Sequence, residues 1–270
     1  MLLVQLSHRA LLFVTGGDCE PFLDGLITST LPGVGEAVGN ALLTPQGKLL
    51  FSFLISRHED GFVLDCDARD VQALTQRLTL YKLRAKVTLN PSDRPVFASL
   101  GTDIDGGVAD LRHPAMGKRV YKDVKATRPL ESYLTHRARL GVLEGPDEIL
   151  PNTDFPHDVA LDLTGAVSFT KGCFVGQEVV SRVKHRGTAR KRPVLLQGDT
   201  LTVGASIMAA ERAIGSVRLV AQNAKTGVAV IRLDHVTDDI RVEDNPVTLS
   251  LPPYATYSLG KDVADQSEAS

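Results

Sequence analysis

The most distinctive stretch of this sequence runs from Lys171 to Glu178 and reads KGCFVGQE. It places Cys173 between Gly172 and Gly176, and glycine allows the backbone to turn tightly. The residues that follow have a helical pattern, so Cys173 is expected in a loop just before a helix. The helix N-terminus and the neighbouring Lys171 would both stabilise a thiolate and make it reactive. The alternative is that Cys173 is a small apolar group buried at a tight turn.

A basic run follows this segment directly. Six cations and no acidic residue fall within positions 182–192. They are Arg182, Lys184, Arg186, Arg190, Lys191 and Arg192. Because the whole chain has a net charge of -2, the rest of it carries -8, and the run is a real charge asymmetry. It could bind a phosphate, a polycarboxylate tail or an RNA backbone, or it could be a solvated hinge between domains. The lack of aromatic residues within it weakens the RNA hypothesis.

Length and composition predict a globular protein of about two domains. The chain has 270 residues, with 30 Lys and Arg against 32 Asp and Glu. Because no 18 apolar residues run together, no membrane-spanning helix is expected. The N-terminal residues 1–15 have neither a charged start before an apolar stretch nor an Arg- and Ser-rich amphipathic character. They therefore predict no signal or transit peptide, and a cytoplasmic location.

The cysteine and histidine content predicts neither disulfides nor a metal site. The three cysteines, Cys19, Cys66 and Cys173, are scattered, which fits a reducing compartment. They include no close pair, and no two histidines have the spacing of helical metal ligands.

Hydrophobic periodicity predicts an α+β fold. The predicted elements are strands over Ala10–Val14, Leu49–Ile55, Phe62–Cys66 and Lys86–Leu89, and helices over 71–81, Leu130–Leu140 and Gln177–Val183. After about residue 190, short β runs separated by glycine predict a small β-barrel. The predicted organisation is an α+β region over residues 1–188, a barrel domain over 189–258 and a disordered tail over 259–270.

The segment KGCFVGQE, together with the residues up to Arg192, resembles the signature of the YgfZ family, the folate-dependent proteins of iron–sulfur cluster maturation. Five further segments are similar to that family: Phe22–Thr28, Leu42–Lys48, Ala109–Gly117, Phe155–Asp158 and Asp162–Phe169. The resemblance covers roughly residues 6–240. It implies the fold of the glycine cleavage T-protein, an aminomethyltransferase, with α+β domains around a central folate channel and a small C-terminal β-barrel.

The resemblance also implies a function. The protein would bind tetrahydrofolate or a derivative and support assembly or repair of iron–sulfur clusters in client enzymes, including tRNA-modifying ones. Its partners would be reduced folate and iron–sulfur client or assembly proteins. Cys173 would be the functional thiol, tuned by Lys171. Five further positions complete the motif: Gly172, Phe174, Gly176, Gln177 and Glu178. Of these, Gln177 and Glu178 would fix the loop or meet a partner.

Two departures from the aminomethyltransferase branch bear on catalysis. Phe51 and Ser52 stand where that branch has adjacent aspartates, and neither can act as a carboxylate. Arg139 stands where a folate-contacting glutamate is expected, although the nearby Glu144 could take over that role. Tyr133 occupies a position where relatives place an aromatic against folate, but it could equally be an ordinary core residue.

Ordinary aminomethyl transfer is therefore not expected, and an accessory protein is the leading hypothesis. Two alternatives stay open. One is a one-carbon transferase that uses Cys173 as nucleophile or redox group. The other is an RNA-binding module that uses the basic run at 182–192.

Overall fold

A nine-stranded mixed β-sheet forms the first part of the molecule. The computed structural model describes residues 2–101, 103–187, 189–221 and 225–260. The strands of this sheet are β1 (Leu2–Gln5), β2 (Arg9–Thr15), β3 (Glu36–Leu43), β4 (Leu49–His58), β5 (Gly61–Asp67), β6 (Thr88–Ser92), β7 (Phe97–Leu100), β8 (Val108–Asp110) and β9 (Lys118–Val120). Their order across the sheet is β1-β7-β9-β8-β3-β4-β5-β2-β6. Neighbouring strands are antiparallel, except that β3 and β8 are parallel.

A second, antiparallel sheet of seven strands follows. Its strands are β10 (Lys191–Gln197), β11 (Ser206–Ala209), β12 (Arg212–Val220), β13 (Thr226–Arg232), β14 (Ile240–Val242), β15 (Asn245–Pro246) and β16 (Thr248–Ser250). The order is β15-β14-β11-β12-β13-β10-β16. The short β runs predicted after residue 190, at Pro193–Gln197, Ala205–Met208, Ile214–Val220 and Gly227–Leu233, correspond to β10–β13. The predicted domain boundary at 188–189 falls just before this sheet, and from residue 261 the predicted tail lies outside the described residues.

Helices are few and short. They are α1 (Cys19–Asp24), α2 (Val71–Lys82), α3 (Leu130–Leu140) and α4 (Gln177–Arg186), with 3-10 turns at Pro114–Met116, Pro156–Val159 and Leu233–His235. The predicted helix over Leu130–Leu140 is confirmed, and it ends at Gly141 because that residue adopts the left-handed conformation, φ 71°. Of the helices in the described ranges, none is long and apolar enough to cross a membrane.

Strand β3 lies in the middle of the large sheet and is buried on both faces. Every residue after its first is buried. Gly39 permits close packing at its centre, since a Cβ there would come within 2.9 Å of the Ala166 side chain. The segment around residue 166 can therefore lie directly on the sheet.

The two sheets share one hydrophobic cluster. Ala41, Leu43 and Leu49 from the large sheet pack in the same cluster as Leu219 and Val228 of the second sheet. Phe174 and Val180, on either side of the start of α4, belong to that cluster too. The signature segment is therefore built into the core that joins the sheets.

Candidate functional site

Lys171 ties the signature loop to the large sheet. Its Nζ donates hydrogen bonds to the carbonyl oxygens of Asp24, Ile27 and Ser29 at 2.8, 2.9 and 3.0 Å. It also lies 3.2 Å from Asp24 Oδ1. Burial lowers the pKa of this ammonium, and the interactions with Asp24 oppose that effect. Because its three N–H groups are all directed at carbonyl oxygens, the geometry gives Lys171 an anchoring role, whereas the resemblance implied that it tunes Cys173.

Cys173 is the exposed member of the chain's three free cysteines, since Cys19 and Cys66 are buried. Burial raises the pKa of the Cys66 thiol to about 12, so that thiol stays protonated. Cys173 lies in the loop just before α4, as predicted, and the alternative of a buried apolar group is wrong. The next side chain, Phe174, is buried. Lys171 and Phe174 therefore hold the loop on both sides of an outward-facing thiol.

The start of α4 packs on the hairpin turn between β3 and β4. Gly176 and Gly47 have φ values of 83° and 79°, which favour glycine. A Cβ on Gly176 would lie 2.6 Å from the carbonyl oxygen of Thr44, and one on Gly47 would lie 2.9 Å from Val179 Cβ. The structure thus brings together two segments that resemble the YgfZ family. Gly172, in contrast, has open space around it and no positive φ.

Other motif residues have surface positions. Glu178 is exposed and pairs with Arg182 at 2.6 Å, one helical turn further along α4. Gln177 is the first residue of α4 and is half-buried. Lys171 and Phe174 anchor the loop to the core, and the side chains of Gln177 and Glu178 do not.

The cations of the predicted basic run fall into two groups. Some contact other side chains of the fold, and others are exposed without an ion-pair partner among the described residues. Arg192 forms two hydrogen bonds to the carboxylate of Asp162, at 2.7 and 3.0 Å, and its guanidinium lies 5.4 Å from the centre of the Tyr257 ring. It is therefore part of the packing of β10. Lys184 Nζ lies 3.7 Å from the centre of the Phe169 ring.

The remaining cations of the run are solvent-exposed. Within the part of the chain that the structure describes, Arg186, Arg190 and Lys191 have no carboxylate within ion-pair distance. The positive charge of the run is therefore concentrated at these three residues and Lys184.

A second, buried charged cluster was not predicted from the sequence. It contains four arginines and four carboxylates, each less than a tenth exposed: Arg9, Arg112, Arg119, Arg137, Asp65, Asp110, Glu144 and Glu148. The sequence alone does not show whether an arginine in a strand-like stretch is buried or exposed to solvent. One weak indication of this cluster was present in the sequence, because Arg112 lies in Ala109–Gly117, a segment that is similar to the YgfZ family. We call this set the buried charge network.

Tyr133 lies inside this network. Its hydroxyl donates to Glu144 Oε2 at 2.9 Å and accepts a hydrogen bond from Arg119 Nη2. Guanidinium groups of Arg119 and Arg137 lie 5.1 and 5.3 Å from the ring centre. Arg139, the other residue predicted to contact folate, is exposed on the same helix. The structure therefore does not bring these two residues together at one site.

Glu144 is the most strongly coordinated carboxylate of the network. The guanidinium groups of Arg119, Arg112, Arg137 and Arg9 lie 2.5, 3.0, 3.4 and 3.9 Å from it. Burial alone would raise the pKa of Glu144, but the four guanidinium groups outweigh burial and hold that pKa well below its usual range. The negative charge of Glu144 is therefore neutralised by arginines of the protein itself.

The network borders a crevice with a volume of about 20 Å³. Arg9, Asn40, Ser52, Arg112 and Glu144 are among the residues that line it. This space suits about one water molecule. A pterin ring is several times larger than a water molecule, so it would enter only if the side chains that line the crevice moved. Phe51 and Ser52 stand at the aspartate positions of the aminomethyltransferase branch, and of these two only Ser52 lines the crevice.

The described ranges contain no group of three or more His, Cys, Asp or Glu side chains placed to hold a metal ion.

The fold and its C-terminal domain define the class of the protein. The structure matches glycine cleavage system aminomethyltransferase T from Bartonella henselae with a TM-score of 0.74 and 16% identity, over 94% of this chain and 86% of that one. Residues 190–257 match the CAF17, C-terminal beta-barrel domain. The chain thus has an aminomethyltransferase T-like α+β fold with a C-terminal β-barrel, as predicted.

Sequence relatives show the family. The mitochondrial iron–sulfur cluster assembly factor IBA57 of Mus musculus is 30% identical over 88% of this chain and 80% of its own length. The human factor is 30% identical over 88% and 79%, and the homolog from Neurospora crassa 28% over 99% and 78%. The chain belongs to the family of the iron–sulfur cluster assembly factor IBA57. None of these three relatives carries the name YgfZ.

The relatives also correct one prediction. All three are named mitochondrial. This finding contradicts the cytoplasmic location that was predicted from the N-terminal residues. Local composition near the N-terminus was the wrong basis for that prediction.

Proposed function

We propose that this protein is an iron–sulfur cluster assembly factor that presents the Cys173 thiol to a partner protein. The names of the relatives support the general role. The observation that carries the specific role is the exposed thiol of Cys173, held on a loop that Lys171 and Phe174 fix to the core.

The number of exposed cysteines limits how many cluster ligands this chain can supply. Iron–sulfur clusters are usually held by several cysteine thiolates. Cys173 is exposed, whereas Cys19 and Cys66 are buried in the core of the large sheet. This chain therefore supplies at most one thiolate to a cluster that it handles as cargo, and the partner supplies the others. The clients, including enzymes that modify tRNA, are assigned from the resemblance to the YgfZ family.

Folate binding has less support than the role of Cys173. The aminomethyltransferase-like fold favours it, but the crevice of about 20 Å³ and the matched charge of Glu144 argue against a pterin at the centre. The same crevice argues against a one-carbon transferase that uses Cys173, because Cys173 is not among the residues that line it. Calorimetric titration with tetrahydrofolate should give no binding heat, both for the parent protein and for the exposed-site variant Arg139→Glu. Micromolar binding by the parent would show that the network opens for the ligand.

A complementation experiment tests the role of Cys173. Cells that lack this protein receive the parent chain, Cys173→Ala or Cys173→Ser, and the activity of cluster-containing enzymes is measured against their protein level. Both variants should leave those enzymes inactive. Cys19→Ala is the matched control, since its thiol is buried, and it should restore activity. Full restoration by Cys173→Ala at equal protein level would contradict the proposal.

A further inference from the structure

A group of free cations lies close to the loop that carries Cys173. We define the cationic face as Lys184, Arg186, Arg190 and Lys191. Lys184 contacts the ring of Phe169, four residues before Cys173, at 3.7 Å. Lys184, in the last turn of α4, therefore reaches the segment that leads into the signature loop, so that this member of the cationic face and the thiol are on neighbouring segments.

Two of the acidic groups near the cationic face in the described ranges are paired with other cations, and a third, Asp158, interacts electrostatically with Lys191. Glu178 pairs with Arg182 at 2.6 Å, and Asp162 with Arg192 at 2.7 Å. On the barrel, Lys191 is directly opposite Arg232 in the register of β10 and β13. Arg232 pairs with Asp234 at 3.0 Å, so of these two cations only Lys191 has no carboxylate within ion-pair distance among the described residues. An arrangement that concentrates positive charge in this way calls for an external anionic partner.

Helix stability does not account for the whole face. Cations in the last turn of a helix are stabilising, which would explain Lys184 and Arg186. Arg190 and Lys191 lie beyond the end of α4 and cannot act in this way, because the effect is limited to the last turn.

We propose that the cationic face docks an acidic surface of the protein that exchanges a cluster at Cys173. This inference rests on the proposed function and adds the chemistry of the partner. Complementary charge would speed the encounter and orient the partner over the thiol. An RNA partner is less favoured, because the neighbouring aromatic ring, Phe169, has Lys184 over one face and packs against the core cluster that joins the sheets.

Thiol–disulfide exchange at Cys173 tests this proposal without a known partner. The probes are two peptides, each with one cysteine activated as a mixed disulfide with thionitrobenzoate, followed by six glutamates or six glutamines. The Cys173 thiolate attacks the peptide sulfur and forms a peptide–protein disulfide, and thionitrobenzoate leaves with the bonding electron pair. Its absorbance gives the rate. Cys19 and Cys66 are buried and do not compete.

We expect the glutamate peptide to react about tenfold faster than the glutamine peptide at low ionic strength. Raising the salt to about 0.5 M should nearly abolish this ratio, because exposed charges are then screened within a few ångströms. The triple variant Arg186→Glu, Arg190→Glu, Lys191→Glu should bring the ratio to one or below. A matched triple, Arg84→Glu, Lys86→Glu, Lys125→Glu, changes the net charge equally at exposed positions elsewhere and should keep the ratio.

Three outcomes would overturn the proposal. The first is a ratio near one at low salt, and the second is an equal loss of the ratio in both triple variants. The third is salt-dependent binding of tRNA that the first triple abolishes, without any preference for the glutamate peptide. The peptide assay is independent of the complementation experiment, so the docking surface can fail while the role of Cys173 stands, and the reverse.

Discussion

Lys171 shows how one residue can be important for the site without taking part in its chemistry. Its ammonium group reaches carbonyl oxygens that are 142 to 147 positions away in the chain. These contacts join the signature loop to the segment after α1. The reactive group, Cys173, is left outside the bonded framework and stays accessible.

Replacing Lys171 with methionine should destabilise the protein. Three carbonyl oxygens would lose a charged donor, and the loss of a hydrogen bond to a charged group costs about 1.5–3 kcal/mol. Urea unfolding measures this change. Lys86→Met, at an exposed position, should shift the free energy of unfolding by less than about 0.5 kcal/mol. Equal effects of the two variants would mean that the contacts of Lys171 add nothing.

At the scale of elements, the contact between the β3–β4 turn and the start of α4 positions the signature loop. Two glycines in left-handed conformations make this contact. Neither segment could approach so closely if it carried a side chain at that point. The turn and the helix therefore depend on each other.

The variant Gly47→Ala tests this dependence. Its Cβ would lie 2.9 Å from Val179 Cβ, in addition to the cost of a positive φ. We expect a loss of about 2–3 kcal/mol in the free energy of unfolding, of which about 1 kcal/mol comes from the backbone conformation. Gly35→Ala is the matched control, since Gly35 has φ 81° and no atom within 4 Å of such a Cβ.

The control should lose only the backbone contribution. Adding Val179→Ala to Gly47→Ala should recover part of the remaining loss, because it removes Val179 Cγ1, which lies 3.1 Å from the added Cβ, while the contact with Val179 Cβ stays. A double variant no better than Gly47→Ala alone would show that the turn does not press on α4.

At the scale of the whole molecule, the buried charge network joins residues from β2, β5, β8, β9 and α3. Arg119 is its central cation and is 1% exposed. It contacts Glu144 and Tyr133 directly. Because the numbers of arginines and carboxylates are equal, removal of one member leaves an uncompensated buried charge.

Arg119→Met should therefore lower the free energy of unfolding by about 3–5 kcal/mol. Adding Glu144→Gln restores the balance of charge and should recover part of that loss. The control Arg69→Met removes a largely exposed partner of Asp67 and should cost less than about 1 kcal/mol. Additive losses in the double variant would contradict a coupled network.

The network also predicts loss of stability in acid. Folding depresses the pKa of Glu144 from its ordinary value of 4.5, so its contribution is present above about pH 4.5 and is lost as the pH falls through the folded pKa. Asp110 acts in the same direction, since its pKa is lowered by Arg112 and Arg119 despite burial. Glu148 acts in the opposite direction, because burial raises its pKa.

Urea unfolding between about pH 7 and pH 3.5 should show a falling free energy of unfolding below about pH 4.5. Glu144→Gln should reduce the slope in this range, since its side chain does not titrate. An unchanged slope would place the acid sensitivity elsewhere in the molecule.

The amino-acid sequence alone was sufficient for features that depend on neighbours along the chain. Apolar spacing located α2, and Gly141 marked the end of α3 because only a few residue types adopt a left-handed conformation easily. The loop position of Cys173 and the β runs of the barrel followed from the same local rules. Strand β3 was missed, because glycine and asparagine in its middle are poor strand formers and burial on both faces came from packing.

Only the tertiary structure decided what the charged residues do. Within one sequence motif, it made Lys171 an anchor and left Cys173 exposed, and within one basic run it paired Arg192 and left Arg190 free. It also buried Tyr133 between the guanidinium groups of Arg119, on β9, and Arg137, on its own helix. The physical reason is that periodicity and turn propensity act over a few residues, whereas ion pairs and close backbone contacts form between groups that only the complete fold brings together.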